Sequence, residues 1–313
     1  MDKQSKIILI SGPTASGKSC FAIKIAKKIN GEIINADSMQ VYKQLKILTA
    51  RPNKDAQKNI KHHMYGVVDL NKKFSTGQWL KAVIKKIKEI KKRKKVPILV
   101  GGTGLYFQSL IDGLVKIPEI PHKFRNKIRL TQKKEGQKKF FKKLLKIDPK
   151  VKGKFDPNDS QRTIRAFEVK SFTKISMYEW IDKTKAEFKN EEFVKLYIDF
   201  KREDLIKRIS LRSTKMIEDG AIKEVKKFIK LKIKKDLSVN KVIGIDELTQ
   251  HLDKKINLDK AQELISIKTR QYAKRQATWG RSRMTSWKKI NPIKINDYIK
   301  KLDKSFVKLD QLT

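Results

Sequence analysis

This chain reads as an α/β protein, a parallel sheet core with a mainly helical insertion, and three features predict it. A buried-strand signal, Ile7-Ile8-Leu9-Ile10, runs into a glycine-rich octapeptide at 12–19, and a helical stripe of Phe21, Ile25 and Ile29 follows. Strand and helix signals then alternate to about residue 116, as repeated βα units do. From about Ile117 the character changes. Pro118 and Pro121 break the pattern, and residues 123–154 carry 14 basic side chains against two acidic ones, Glu135 and Asp148.

The octapeptide Gly12-Pro13-Thr14-Ala15-Ser16-Gly17-Lys18-Ser19 fits G-x-x-x-x-G-K-[ST] between a strand and a helix. That setting aims backbone N–H groups and the positive end of a helix dipole at one point, so an anion is favoured there. Lys18 adds a mobile positive charge, and the Ser19 hydroxyl can ligate Mg²⁺. The eight residues predict a phosphate or diphosphate site, and the core is of P-loop NTPase-like type.

The next strand signal, Glu32-Ile33-Ile34-Asn35, ends at Ala36-Asp37-Ser38-Met39-Gln40. A helix from about Thr76 carries Trp79, Leu80, Val83, Ile84, Ile87 and Ile90 on one face and lysines on the other. Val96-Pro97-Ile98-Leu99-Val100 reads as a buried parallel strand that ends at Gly101-Gly102-Thr103-Gly104. In such sheets ligands lie beyond the carboxyl ends of the strands, which places Asp37 and Thr103 on the same edge as the octapeptide. Phe140, Phe141, Leu144 and Leu145 give the basic insertion an apolar helical face. Phe193 to Ile198 returns the chain to the sheet, and helices follow at about 203–219, 221–232, 241–252 and 259–279. The domains expected are a core of 1–116 with 193–313 and an inserted 117–192.

Net charge is +43, which points to a polyanionic partner, nucleic acid above all. Lysine supplies 63 of the 76 basic residues, so part of that charge is solvated surface. The 13 arginines are more informative, because a forked planar donor is not replaced by lysine. Arg162 with Arg165, Arg208 with Arg212, and Arg270, Arg275, Arg281 and Arg283 form three groups. No apolar run reaches 18 residues, so no membrane span is expected, and the opening residues lack a signal-peptide layout. Cys20 is the only cysteine, which predicts a reducing, cytoplasmic location and a packing role for its side chain. His62 and His63 lack companion ligands at metal spacing and are expected to order a loop.

A P-loop by itself does not choose between phosphate chemistries. ATP-hydrolysing members place an aspartate after a buried strand, yet the strand at 96–100 ends in glycines. The strand-end acid is Asp37, and its local pattern allows a magnesium second-shell ligand, a helix cap or a general base.

Together the motifs resemble one family, the tRNA dimethylallyltransferases (tRNA isopentenyltransferases) of bacterial type. The resemblance rests on GPTASGKS at 12–19, INADSMQVY at 34–42, TARP at 49–52, HH at 62–63 and GGTGLY at 101–106. It continues with QRTIRAFEV at 161–169, RISLR at 208–212 and TRQYAKRQATW at 269–279. It implies transfer of a dimethylallyl group from dimethylallyl diphosphate to the exocyclic amine of the adenosine 3′ to the anticodon, with diphosphate leaving. In that scheme Gly12 to Ser19 hold the diphosphate, with Mg²⁺ on Ser19, and Asp37 takes a proton from the amine. Thr103 and either Arg208 or Arg212 complete the catalytic set. Asp37, Ser38, Met39, Gln40 and Thr103 would receive the flipped adenosine. Gln161, Arg162, Thr163, Ile164 and Arg165, with Arg125, Arg275 and Gln276, would contact the anticodon stem-loop. The family acts mostly as a monomer.

Three positions depart from the family pattern. Gly280 and Ile245 stand where aromatics are usual, and Arg51 replaces a lysine. Two alternatives predict different behaviour. A P-loop kinase of a small molecule would use Arg162 and Arg165 as a lid cluster, and a charge-driven RNA-binding protein would show little preference among RNAs.

Overall fold

A computed structural model describes residues 6–53, 55 and 59–301. Residues 1–5, on which the signal-peptide expectation bears, lie outside them. The described chain divides into two compact units, Met1–Ile111 with Phe188–Thr313, and Asp112–Glu187.

The first unit is built on a six-stranded, all-parallel sheet of order β3-β2-β4-β1-β5-β6. The strands are β1 (Ile7–Ser11), β2 (Gly31–Asn35), β3 (His62–His63), β4 (Val96–Val100), β5 (Phe193–Ile198) and β6 (Lys288–Ile290). β1 is fully buried, and its side chains alternate between faces. Ile7 and Leu9 join Trp79, Val83, Ile87, Leu99 and Phe107 on one side. Ile8 and Ile10 join Phe21, Ile25, Ile98 and Leu196 on the other. A strand buried on both faces needs an unbroken apolar run, which is what 7–10 supplies.

Helix α1 (Lys18–Ile29) covers the second face with Phe21, Ala22, Ile25 and Ala26. It stops at Asn30, whose left-handed backbone (φ 56°) returns an N–H to the Ala26 carbonyl. Helix α2 (Thr76–Lys92) covers the first face. Ser75 caps it through a box with Gln78, and Trp79, Val83, Ile87 and Ile90 form its buried stripe. Helix α3 (Gly104–Ile111) follows β4.

Two strands that the sequence hides are the short edges β3 and β6. Neither has the four to eight residues of a pattern, and each exists only by pairing with β2 or β5. His62 and His63 are therefore edge-strand residues. His63 Nε2 lies 2.6 Å from Glu32 Oε2, a carboxylate that Arg93 also contacts at 2.6 Å.

The second unit holds α4 (His122–Glu135), α5 (Gln137–Ile147), α6 (Ser160–Thr173) and α7 (Met177–Asp182). Its small core is Phe141, Leu144, Val151 and Ala166, with Phe155 and Phe167 against it. The remaining helices of the first unit are α8 (Arg202–Glu218), α9 (Ala221–Lys230), α10 (Ile245–Leu252), α11 (Leu258–Arg283) and α12 (Ile295–Lys301). A third cluster, including Leu48, Met216, Val225, Leu248 and Ile265, packs α8 to α11 against the segment after Asp37. A Cβ on Gly280 would lie 2.5 Å from a Tyr197 ring carbon, so Tyr197 occupies the volume beside that departure from the family pattern.

Candidate active site

The carboxyl ends of β1, β2 and β4 open onto one cavity of about 490 Å³. Thr14, Ala15, Gly17, Lys18, Ser19 and Cys20 line one side, and Asp37, Ser38, Met39 and Gln40 line another. Arg208, Arg212 and Arg275 reach it from α8 and α11. The apolar wall comes from Leu48, Met216, Val242, Ile243 and Ile265.

The loop from Gly12 to Gly17 is pinned from outside. Gln276 on α11 accepts from the Thr14 N–H (2.7 Å) and donates to the Gly102 carbonyl (3.0 Å), so one amide ties the P-loop to the end of β4. Arg208 donates from Nε to the Ala15 carbonyl at 2.8 Å, and Arg212 donates to the Thr14 hydroxyl at 3.0 Å. Gly17 caps α1 in the left-handed region (φ 88°), and no side chain caps that helix. Its first turn holds no acidic residue, so the N–H groups and the helix dipole are left to an incoming anion.

Lys18 Nζ donates to the Pro13 carbonyl at 2.6 Å. Burial pushes its ammonium down to about 7, the Asp37 carboxylate opposes that shift, and Arg212 reinforces it. Burial also lowers the Arg212 pKa, again against Asp37. Lys18, Arg208, Arg212, Lys241 and Arg275 line the cavity with a single carboxylate, Asp37, which leaves it positive. Burial, with Asp37 nearby, raises the phenols of Tyr65, Tyr106 and Tyr272, which stay protonated.

Asp37 is held from behind by Asn35, a fully buried residue at the end of β2. The Asn35 side chain accepts from the Asp37 N–H (2.9 Å) and donates to the Asp37 carbonyl (2.9 Å) and the Met64 carbonyl (3.2 Å). Trp79 donates from its indole to the Asn35 carbonyl and stacks on Tyr106 with centroids 4.1 Å apart. Asp37 Oδ1 accepts from the Met39 N–H at 2.9 Å in an Asx-type turn; no helix starts here among the described residues, so Asp37 is not the helix cap its local pattern allowed. Thr103 accepts from the Ser38 N–H at 3.0 Å, so its hydroxyl braces the Asp37 segment. At Gly101 a Cβ would fall 2.0 Å from the Ala36 carbonyl oxygen, and only glycine lets the ends of β2 and β4 approach so closely.

Several expectations change in the structure. Cys20 is exposed and faces the cavity, because its position on α1 points away from the Phe21 stripe. Gln276 spends its amide on the P-loop, and Gln40 donates to the Thr49 and Ala50 carbonyls. Arg51 ties down the Tyr42 and Lys43 carbonyls. In the second unit, Thr163 is fully buried and its hydroxyl bonds Gln137 and the Asp159 carbonyl, so its side chain cannot face RNA. Gln161 and Arg162 are exposed on α6, where Asp159 caps the helix and pairs with Arg162. Ile164 is half-buried. Arg165 and Arg125 both point at Glu168, a residue that is 1% exposed. Asn35, Thr269 and Tyr272 were missed from the sequence. For the last two a signal existed, since 269, 272 and 276 follow one face of α11.

Fold and site together define an enzyme of P-loop type in which the strand-end acid Asp37 lines the same cavity as the P-loop. The model of the IPP transferase family matches residues 40–283. The chain is 76% identical over its whole length, and over all of the relative, to a tRNA dimethylallyltransferase of Pelagibacter ubique (strain HTCC1062). It is similar to the crystal structure of the full-length tRNA isopentenylpyrophosphate transferase of Bacillus halodurans. There the TM-score is 0.69 and the identity 30%, covering 98% of this chain and 99% of that one. A eukaryotic dimethylallyltransferase, in crystals that follow it acting on tRNA, gives a TM-score of 0.82 at 29% identity. That match covers 98% of this chain and 78% of the other. The chain belongs to the IPP transferase family, and it is an enzyme that transfers a prenyl group. The kinase and passive RNA-binder alternatives fall away.

Proposed function

We propose that the cavity binds dimethylallyl diphosphate and the adenosine 3′ to a tRNA anticodon side by side, and joins them. The observation that carries this is that Asp37 shares one cavity with Lys18, Ser19 and Arg212. The diphosphate lies on the Gly12–Ser19 loop and the open α1 N-terminus, with Lys18 and Arg212 matching its charge. The isoprenyl group lies on the wall of Leu48, Met216, Val242 and Ile265. The exocyclic amine of a flipped adenine donates to the Asp37 carboxylate. As the allylic C–O bond breaks, the electron pair leaves with the diphosphate, the N–C bond forms, and the amine proton passes to Asp37.

No group of three His, Cys, Asp or Glu among the described residues can hold a metal ion unaided. The donor set at the P-loop is the exposed Ser19 hydroxyl, which suits Mg²⁺ carried mainly by diphosphate oxygens and water. Such an ion would neutralise charge on the leaving group. Among the described residues no helix is long and apolar enough to cross a membrane. The reading extends to a reducing, cytoplasmic location, supported by a single cysteine, and to a monomer, which rests on the family resemblance alone.

The test is incubation of purified protein with unmodified tRNA, magnesium and labelled dimethylallyl diphosphate, followed by nucleoside mass spectrometry. Appearance of N6-dimethylallyladenosine at the anticodon-adjacent position is expected. Unmodified tRNA after complete incubation sinks the proposal.

A further inference from the structure

In the second unit, Arg125 and Arg165, which the family resemblance sets against the anticodon stem-loop, converge with Arg129 on one buried carboxylate, Glu168, to which the reading above gives no role. Arg125 and Arg129 of α4 lie 3.3 and 3.6 Å from Glu168 of α6, and Arg165 lies 3.4 Å from it. Glu168 is 1% exposed, whereas the arginine side chains are 34%, 55% and 40% exposed. Three cations against one anion leave a net +2 within a few ångströms. Three guanidiniums offer about 15 N–H donors, and one carboxylate accepts about four hydrogen bonds. Most of the donors are therefore not spent on Glu168.

The network is also unfinished on its own terms. Arg125 Nε and Glu168 Oε1 are both buried without a hydrogen bond inside the protein. Beside it, Phe124 and Phe172 meet edge to face with centroids 5.5 Å apart, and Phe172 is 38% exposed. Phe172 follows Glu168 by four residues and Arg165 precedes it by three, so Arg165, Glu168 and Phe172 share one face of α6.

We infer that Glu168 is a positioning residue that spreads Arg125, Arg129 and Arg165 into an anion cradle for an RNA phosphodiester, with Phe172 offering a ring to an adjacent base. This rests on the tRNA-modifying reading and deepens it, by naming the carboxylate that orients the arginines expected to meet the RNA. Guanidinium forks suit phosphate, and an exposed aromatic beside them suits an unstacked base. Held by a buried carboxylate, the long side chains lose less rotamer freedom when the phosphate arrives.

Glu168→Gln separates this from simple charge. If the glutamate only lowered the local charge, removing it would tighten binding of a polyanion. If it orients the cradle, binding weakens although the site has become more positive. We expect the Kd for an unmodified anticodon stem-loop RNA to rise about tenfold, the scale of one charge-assisted hydrogen bond. In turnover the loss falls on KM for RNA, and Glu168→Asp recovers part of it. Arg129→Gln, at the most exposed arginine, should flatten the slope of log K against log salt by about 0.7–0.9. Phe172→Ala should weaken binding without changing that slope. Should Glu168→Gln fail to fold, Arg129→Gln and Arg165→Gln carry the test, because both guanidiniums reach solvent. Unchanged or tighter RNA binding by Glu168→Gln, or wild-type affinity and slope in both arginine variants, overturns the inference. Because binding is read directly, a failure here is distinct from a failure of prenyl transfer.

Discussion

Replacing Asp37 with asparagine isolates its proposed chemical role. Asp37 Oδ1 accepts from the Met39 N–H, and Asn35 and Thr103 hold the backbone on either side. An asparagine keeps that acceptor, so the turn survives; alanine would lose it, at about 1 kcal/mol for one hydrogen bond. Only the charge and the basicity disappear. Loss of a general base costs about 10²–10⁴ in rate, or roughly 3–5 kcal/mol of barrier at about 1.4 kcal/mol per decade. A second effect follows from Lys18. Asp37 props up a lysine pKa already pressed down to about 7 by burial. Without it Lys18 loses its proton more readily, and the donor binds more weakly at neutral pH. Asp37→Asn should therefore reduce kcat by at least a hundredfold, raise KM for the donor several-fold, and leave stem-loop RNA affinity within about threefold. Single-turnover assays with labelled donor, with melting curves to show an intact fold, measure all three. A kcat within threefold of wild type refutes the assignment of Asp37 as the base.

Three further outcomes are expected. Binding of the donor should draw a proton onto Lys18, because a bound polyanion raises a pKa that stands near 7 in its absence. Calorimetry at about pH 8 in buffers of different ionisation enthalpy should show uptake approaching one proton, and buffer-independent heats contradict this. By the same linkage, the unfolded chain keeps this proton above pH 7 when the folded chain does not. The ligand-free protein thus gains stability from this group as pH rises from about 7 toward the ordinary lysine range. Gln276→Ala breaks the bridge from the Thr14 N–H to the Gly102 carbonyl, which should cost about 1–3 kcal/mol of stability and weaken donor binding. RNA affinity should not move; a loss confined to RNA restores the contact expected from sequence. Glu32→Gln removes the carboxylate shared by Arg93, His63 and Lys95. Arg93 and Lys95 are exposed enough to reach water when released, so the cost should be about 1.5–3 kcal/mol, read from denaturant melts. Burial disfavours the Glu32 charge, yet bonds from Arg93 and His63 outweigh it and lower the pKa. That stability is present above the ordinary glutamate range and fades as pH falls through the depressed value. A flat acid limb contradicts it.

The amino-acid sequence alone determined β1, β2, β4 and β5, because a strand buried on both faces must be written as an apolar run. It determined α1 and α2 through their periodic stripes, and the phosphate site through a loop whose chemistry is local. Asp37 and the P-loop could be placed on one edge because strand polarity in a parallel sheet is a topological matter. Tertiary structure decided the rest, wherever an outcome depends on a partner far away in the chain. β3 and β6 are too short to have a pattern and exist only as neighbours of β2 and β5. Arg208 and Arg212 share a helical face in sequence; only packing of α8 against the P-loop sends one to the Ala15 carbonyl and the other to the Thr14 hydroxyl. Gln276 and Thr163 looked like polar groups available to RNA, until distant backbone and Gln137 claimed them. Cys20 looked like packing, but one position on a helix separates the buried stripe from the cavity wall. Periodicity is carried by neighbours in sequence and can be read there. A hydrogen-bond partner 262 residues away, as between Gln276 and Thr14, is chosen only when the chain closes on itself.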